Sequence, residues 1–232
     1  MKTLGIIPAR GGSKGIPGKN IKPLAGKPLL QYTVQAAREA KCLHRTLLTT
    51  DNPEIARLGE QLGLWVPFLR PRDLAQDDTP TLPVLLHVTE WLKQNGETYD
   101  AYCLLQPTTP FRSAQDIDAA ITLLANSDAD AVVSVIPTPK QFHAGWQMKL
   151  TTDGALTLYD GQPLNRIITR RQALAPTYIR NGALYVMRHA TLVEKKSLYG
   201  ENCLAWVMSA ERHVNIDTPA DWVLAEQMLA HQ

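Results

Sequence analysis

Apolar positions along this chain fall into two rhythms. Residues 4–8, 46–50, 101–105 and 131–135 are short apolar runs with little polar alternation, the pattern of strands buried on both faces. Between them the spacing turns helical. Leu29, Leu30, Val34 and Ala37 line one face after Pro28, residues 81–93 and 113–124 repeat the pattern, and Ser113 stands where it would cap the latter. Asn52 followed by Pro53 reads as an N-cap with proline at the first helical position. Strands alternating with helices predict a mainly parallel sheet covered on both sides, a three-layer α/β fold. From about residue 137 to 180 the rhythm breaks into prolines, polar residues and two short alternating pieces at 147–150 and 155–159, which predicts an inserted β-rich arm. Strands near 183–187 and 204–207 and a last helix from Thr218 complete one domain over residues 1–232.

Composition excludes several classes. The chain carries 24 Lys plus Arg, 22 Asp plus Glu and 44% hydrophobic residues, an ordinary globular balance that argues against disorder and collagen-like structure. No stretch approaches the roughly 20 apolar residues of a membrane span, and the apolar core near the first methionine is too short for a signal peptide, so a cytoplasmic location is expected. Cys42, Cys103 and Cys203 form neither a disulfide framework nor a zinc pattern and are expected to be buried thiols. The net charge of +2 is unevenly placed: seven basic residues and no acid precede Glu39, so the remainder carries −5. Gly, Pro and Asn separate those lysines where a nucleic-acid surface would interleave aromatics, so a small polyanion is the better ligand.

The positive charge gathers in one turn. Arg10 to Asn20 follow the first predicted strand and include Gly11, Gly12, Gly15, Gly18 and Pro17. Glycines let backbone N–H groups approach phosphate oxygens while Arg10, Lys14 and Lys19 offset roughly four negative charges, the makings of a triphosphate cradle. The segment lacks both the Walker A spacing and Gly-x-Gly-x-x-Gly.

Ile7-Pro8-Ala9-Arg10-Gly11-Gly12-Ser13-Lys14-Gly15 followed by Lys19-Asn20 resembles the opening signature of the acylneuraminate cytidylyltransferases, enzymes that make CMP-sialic acid and related CMP-sugars. Five further segments are similar to that family in the same order: Arg70-Pro71 with Asp77 and Thr81, the run from Leu105-Gln106-Pro107 to Arg112, Arg170-Arg171-Gln172, Asn181-Gly182-Ala183-Leu184-Tyr185, and Ile216-Asp217-Thr218-Pro219. The resemblance implies a Rossmann-like nucleotidyltransferase fold whose arm serves dimerisation. It also implies Mg²⁺-dependent transfer of CMP from CTP to the anomeric hydroxyl of a nine-carbon 2-keto sugar acid, with release of pyrophosphate and no nucleic-acid or membrane partner.

Site roles follow from the same resemblance. Arg10, Ser13, Lys14 and Lys19 would hold the triphosphate, with Arg10, Lys14, Lys19 and Asp217 the catalytic set and Asn20 facing the nucleotide. Arg70 and Thr81 would border the cytosine. Gln106, Arg171, Asn181 and Tyr185 would meet the sugar acid, with Arg170 the fallback for its carboxylate. Asp217 and Asn215 are the expected metal ligands, although Thr218, Pro219 and Asp221 also make a good helix start with no metal at all. Tyr185 reads equally well as an amphipathic strand residue. Trp146 stands where many sialic acid enzymes carry a lysine, which points toward a legionaminic or pseudaminic relative. A Kdo or sugar-phosphate nucleotidyltransferase and an inactive nucleotide-binding paralogue remain the competing readings.

Overall fold

The structure, a computed structural model, describes residues 1–230, apart from the side chain of Arg171. Strand β1 (Thr3–Pro8) sends Leu4 and Ile6 to one face and Ile7 to the other, and all three are fully buried. Two-residue strands β2 (Pro23–Leu24) and β3 (Lys27–Pro28) form a small hairpin before helix α1 (Leu29–Glu39). The first turn of α1 has no side-chain cap; the Leu29 and Leu30 N–H groups donate instead to the carbonyls of Lys22 and Asn20. After β4 (Arg45–Thr49), the Asn52 side chain accepts from the N–H groups of Glu54 and Ile55 and Pro53 opens α2 (Pro53–Gln61), as expected from the sequence. Helix α3 (Thr81–Gln94), strand β5 (Ala101–Leu104) and helix α4 (Ala114–Ala125) follow, the last with a capping box between Ser113 and Asp116. Strands β6 (Ala131–Pro137), β7 (Met148–Leu150), β8 (Leu156–Leu158), β9 (Tyr178–Arg188) and β10 (Cys203–Val207) precede the last helix, α5 (Pro219–Ala230).

Six strands form one sheet in the order β10-β6-β9-β5-β1-β4. Five run the same way and β9 runs against both neighbours. The sheet is therefore mainly parallel, with one central reversal. Helices α1, α2 and α4 cover one face through Leu30, Val34, Ile55, Ile117 and Leu124. Helix α3, with Leu85, Val88 and Leu92, and a π-helical turn at Ala190–Glu194 cover the other. This is the expected three-layer plan, and each fully buried leucine or isoleucine contributes about 1.5–3 kcal/mol.

Two expectations need correction. The excursion between β6 and β9 is less β-rich than its alternation suggests: its one hairpin joins the three-residue strands β7 and β8, and much of the remainder is 3-10 turns such as Leu164–Arg166. Proline at 137, 139, 163 and 176 removes the donors a longer ladder would need. Cys203 is exposed, because β10 is an edge strand; Cys103 in central β5 is the buried thiol, and burial pushes its pKa up to about 12.

Candidate active site

The carboxyl ends of β1, β4 and β5 open onto a cleft of about 320 Å³, where ligands of open α/β sheets bind. One wall is the glycine-rich loop. The Asn20 amide donates to the Arg10 carbonyl at 2.9 Å and closes the loop into a ring, while buried Ile16 anchors it against Phe111 and Trp222. Gly15 lies against the segment from the opposite wall, so closely that a Cβ on it would stand 2.1 Å from the Asp217 carbonyl oxygen. The Gly11 N–H donates to Asp51 Oδ1 at 2.9 Å, and that same oxygen lies 3.9 Å from the Arg70 guanidinium. Asp51 therefore joins the phosphate loop to the far end of the cleft.

The cations of the loop have internal partners. Arg10 lies 2.6 Å and Lys14 2.9 Å from the two oxygens of Asp77. Lys19 is largely enclosed; its Nζ donates to the Ile216 carbonyl at 2.7 Å and to Asp217 Oδ1 at 3.0 Å. Asn215 turns its amide nitrogen to the other Asp217 oxygen. Hydrogen bonding to Lys14 is the largest influence on Asp77 and, with Arg10, holds its carboxyl below the usual carboxylate range.

Arg70 differs. It is 5% exposed, held at the end of β4 by its N–H bond to the Thr50 carbonyl at 2.8 Å, and lines the cleft. Its Nε and one terminal nitrogen have no hydrogen-bond partner, and burial lowers its pKa, with Asp51 opposing. Its charge is paired with Asp51, but two buried nitrogens without hydrogen bonds are costly. Thr81, in the uncapped first turn of α3, lines the same end.

Of the residues expected from the sequence, Arg10, Ser13, Lys19, Asn20, Arg70, Thr81, Gln106, Asn215 and Asp217 meet in this one cleft. Lys14 reaches its edge through Asp77. Gln106 is set by Arg112, a buried arginine whose guanidinium donates to the carbonyls of Gln106 and Ala183 and to Thr33 Oγ1. Gly182, at φ +74°, leaves room for the Gln106 side chain, whose Oε1 would lie 3.1 Å from an added Cβ. Asn181 and Tyr185 do not line the cleft. The Asn181 amide is spent in the core, accepting from Ser134 Oγ and the Ala183 N–H and facing Met208 Sδ. Tyr185 packs edge-on to Tyr199 in the α3-side core. The Arg171 side chain lies outside the described residues. In the excursion, the Trp146 indole donates to the Ile168 carbonyl at 2.6 Å.

Sequence reasoning assigned no role to Asp51, Asp77 or Arg112. Asp51 was legible as an acid directly after a strand end, and Asp77 as part of a family-like segment. Asp221 holds the α5 start, accepting from the N–H groups of Asp217 and Thr218 and from the Thr218 hydroxyl.

Comparison with known proteins agrees with this geometry. A CMP-N,N'-diacetyllegionaminic acid synthase of Legionella pneumophila is 34% identical over 99% of this chain and 97% of its own length. N-acylneuraminate cytidylyltransferases of Escherichia coli O18:K1:H7 and Danio rerio are 31% and 32% identical, and the chain spans about half the length of each. A solved CMP:2-keto-3-deoxy-manno-octonic acid synthetase complexed with CTP shares the fold, with a TM-score of 0.73 at 18% identity, covering 100% of this chain and 99% of its own. The profile of the family described as Cytidylyltransferase matches residues 4–201, and the chain belongs to that family.

Proposed function

We propose that this protein transfers CMP from CTP to the anomeric hydroxyl of a sialic-acid-like nonulosonic acid, releasing pyrophosphate. The observation that carries the reading is the end-to-end match to the legionaminic acid synthase, placed beside a cleft that joins a cationic glycine loop to a buried, unsatisfied arginine. In-line displacement at the α-phosphorus asks the protein for positioning and charge neutralisation more than for covalent chemistry. The loop N–H groups, Ser13, Arg10, Lys14 and Lys19 would hold the triphosphate and stabilise the departing pyrophosphate. Arg70 and Thr81 would border the base, and Gln106 would meet the sugar acid.

Magnesium is the proposed cofactor, held by Asp217 with Asn215 beside it. A single carboxylate suits a hard cation that brings phosphate oxygens and waters of its own. The Asp217 oxygens are engaged by Lys19 and by the Asn215 amide nitrogen, so the cation would have to take over the Lys19 contact and meet Asn215 by its carbonyl oxygen. When bound it would neutralise charge on the phosphates. A homodimer is proposed through the excursion, where Phe142, Leu150 and Tyr159 are exposed apolar side chains with no cover in one chain. A cytoplasmic location belongs to the same reading, since CTP is an intracellular nucleotide.

The test is pyrophosphate release with CTP and Mg²⁺ against N-acetylneuraminic, legionaminic, pseudaminic and Kdo acids, with ATP, GTP and UTP as controls. Release with a nine-carbon acid and CTP alone is expected. Release with Kdo alone would replace the substrate, and silence across the panel despite CTP binding would favour an inactive paralogue.

A further inference from the structure

Asp77 stands where a ligand's phosphates would go. It lies between the 3-10 turn Arg72–Ala75 and α3, lines the cleft, and shares its carboxylate between Arg10 and Lys14. Lys14 is otherwise open to solvent, so this contact is what keeps its ammonium turned to the cleft. Among the described residues, and apart from the contacts of Asp77, the hydrogen bonds of segment 71–79 stay within it: Leu74 N–H to the Pro71 carbonyl, the Gln76 amide to the Arg72 carbonyl, and Thr79 to the carbonyls of Gln76 and Asp73. Its ion pairs to the rest of the protein are the two made by Asp77. The segment is thus tied to the phosphate loop by one carboxylate, through pairs that are at least partly exposed and individually weak.

We propose that Asp77 is the resident counter-ion of the phosphate loop. It holds Arg10 and Lys14 over the cleft, yields them to an incoming triphosphate, and takes them back as pyrophosphate leaves. The argument is one of exchange. The two cations cannot each keep Asp77 at 2.6–2.9 Å and also meet the several charges of a polyphosphate in full. A singly charged carboxylate is the weaker partner and is displaced, but its return competes with the pyrophosphate that remains after transfer. Asp77 is accordingly a positioning residue that costs ground-state affinity for phosphates while keeping the loop organised and product release open. The inference rests on the proposed reading of this loop as the triphosphate site.

Titration calorimetry in Mg²⁺ buffer without any sugar acid tests it, with inorganic pyrophosphate, CTP and cytidine as probes. The Asp77→Asn protein is expected to bind pyrophosphate about tenfold tighter than the wild type and CTP tighter as well, with cytidine unchanged. The Asp78→Asn protein removes the same charge one residue away, from an acid with no ion pair among the described residues, and should shift both anions less than twofold. The Asp77→Glu protein, which keeps the charge, should behave as wild type and covers the case in which the Asn variant melts early. Equal or weaker pyrophosphate binding by a folded Asp77→Asn protein overturns the counter-ion role, as does an equal gain from Asp78→Asn. Failure of the wild type to bind either CTP or pyrophosphate would instead bring down the triphosphate-site reading, and this inference with it.

Discussion

Alanine at Gly15 should damage turnover through contact alone. Gly15 is not among the left-handed residues, so its backbone accepts a side chain, and the whole effect comes from a Cβ placed 2.1 Å from the Asp217 carbonyl oxygen. That oxygen must retreat by about 1 Å to reach van der Waals contact. It is not free to do so alone, because the Ile216 N–H is bonded to the Thr108 carbonyl at 2.8 Å and the Ile216 carbonyl to Lys19 at 2.7 Å. The two walls of the cleft must separate together, carrying Lys19 and Asp217 from the positions in which the proposed reaction would use them. A misplacement near 1 Å costs on the order of 100-fold in rate, about 2.7 kcal/mol of barrier. The packing strain adds about 1–3 kcal/mol of instability, lowering the melting temperature by roughly 5 °C. The assay is kcat for pyrophosphate release at saturating CTP and sugar acid, beside thermal unfolding of the unliganded protein. Gly12→Ala is the control, since its Cβ would meet nothing within 4 Å and should leave the unliganded melting temperature unchanged. A Gly15→Ala kcat within twofold of wild type would refute the reasoning.

Three further outcomes are expected. Lys19→Ala should raise the CTP KM and lower kcat at least tenfold in steady-state kinetics, since its ammonium is an enclosed cation on the phosphate side; unchanged constants would remove that role. Arg112→Lys keeps the charge but loses the fork that serves Gln106, Ala183 and Thr33, so urea unfolding should show a loss of about 3 kcal/mol and the sugar-acid KM should rise more than the CTP KM. Burial alone would raise the Asp116 carboxyl, but Arg212, Ser113 and Trp206 outweigh it and bring it from 3.8 to about 2. The folded value is the lower one, so its contribution of about 2 kcal/mol is present above pH 4 and fades as pH falls from 4 toward 2. Urea titrations over that range should show this slope in the wild type and a shallower one in Arg212→Ala; identical slopes would assign the acid sensitivity elsewhere.

The parts of the fold that a local pattern specifies were legible in the sequence. Asn52-Pro53 and Ser113 with Asp116 mark helix starts by hydrogen bonds made within three residues, so their outcome needs no tertiary knowledge. Strand direction is different. Over residues 183–187, β9 carries the same apolar character as the parallel strands, because a strand covered on both faces looks alike either way round, and only its pairing with β5 and β6 reveals the reversal. The site divides along the same line. The glycine loop is contiguous and was read directly, whereas Asp77 meets Arg10 and Lys14 from more than sixty residues away, a contact no spacing encodes. Asn181 shows the converse: the matching segment is present, yet its amide is consumed by Ser134 and Met208, partners fixed by packing between β6, β9 and the segment after β10.

Charge pairing across the cleft gives its two ends different energetics. At the glycine-loop end Arg10, Lys14 and Lys19 already have acids, so a triphosphate bound as proposed would exchange partners, losing contacts as it gains them. At the other end the Arg70 guanidinium is desolvated, with Nε and one terminal nitrogen covered and without hydrogen-bond partners and its acid 3.9 Å away, so a ligand reaches those nitrogens only by a shift of the side chain or of its Asp51 pair. The salt dependence of CTP binding should accordingly be shallower than three free cations would produce, because counterions are already replaced by the protein's own carboxylates.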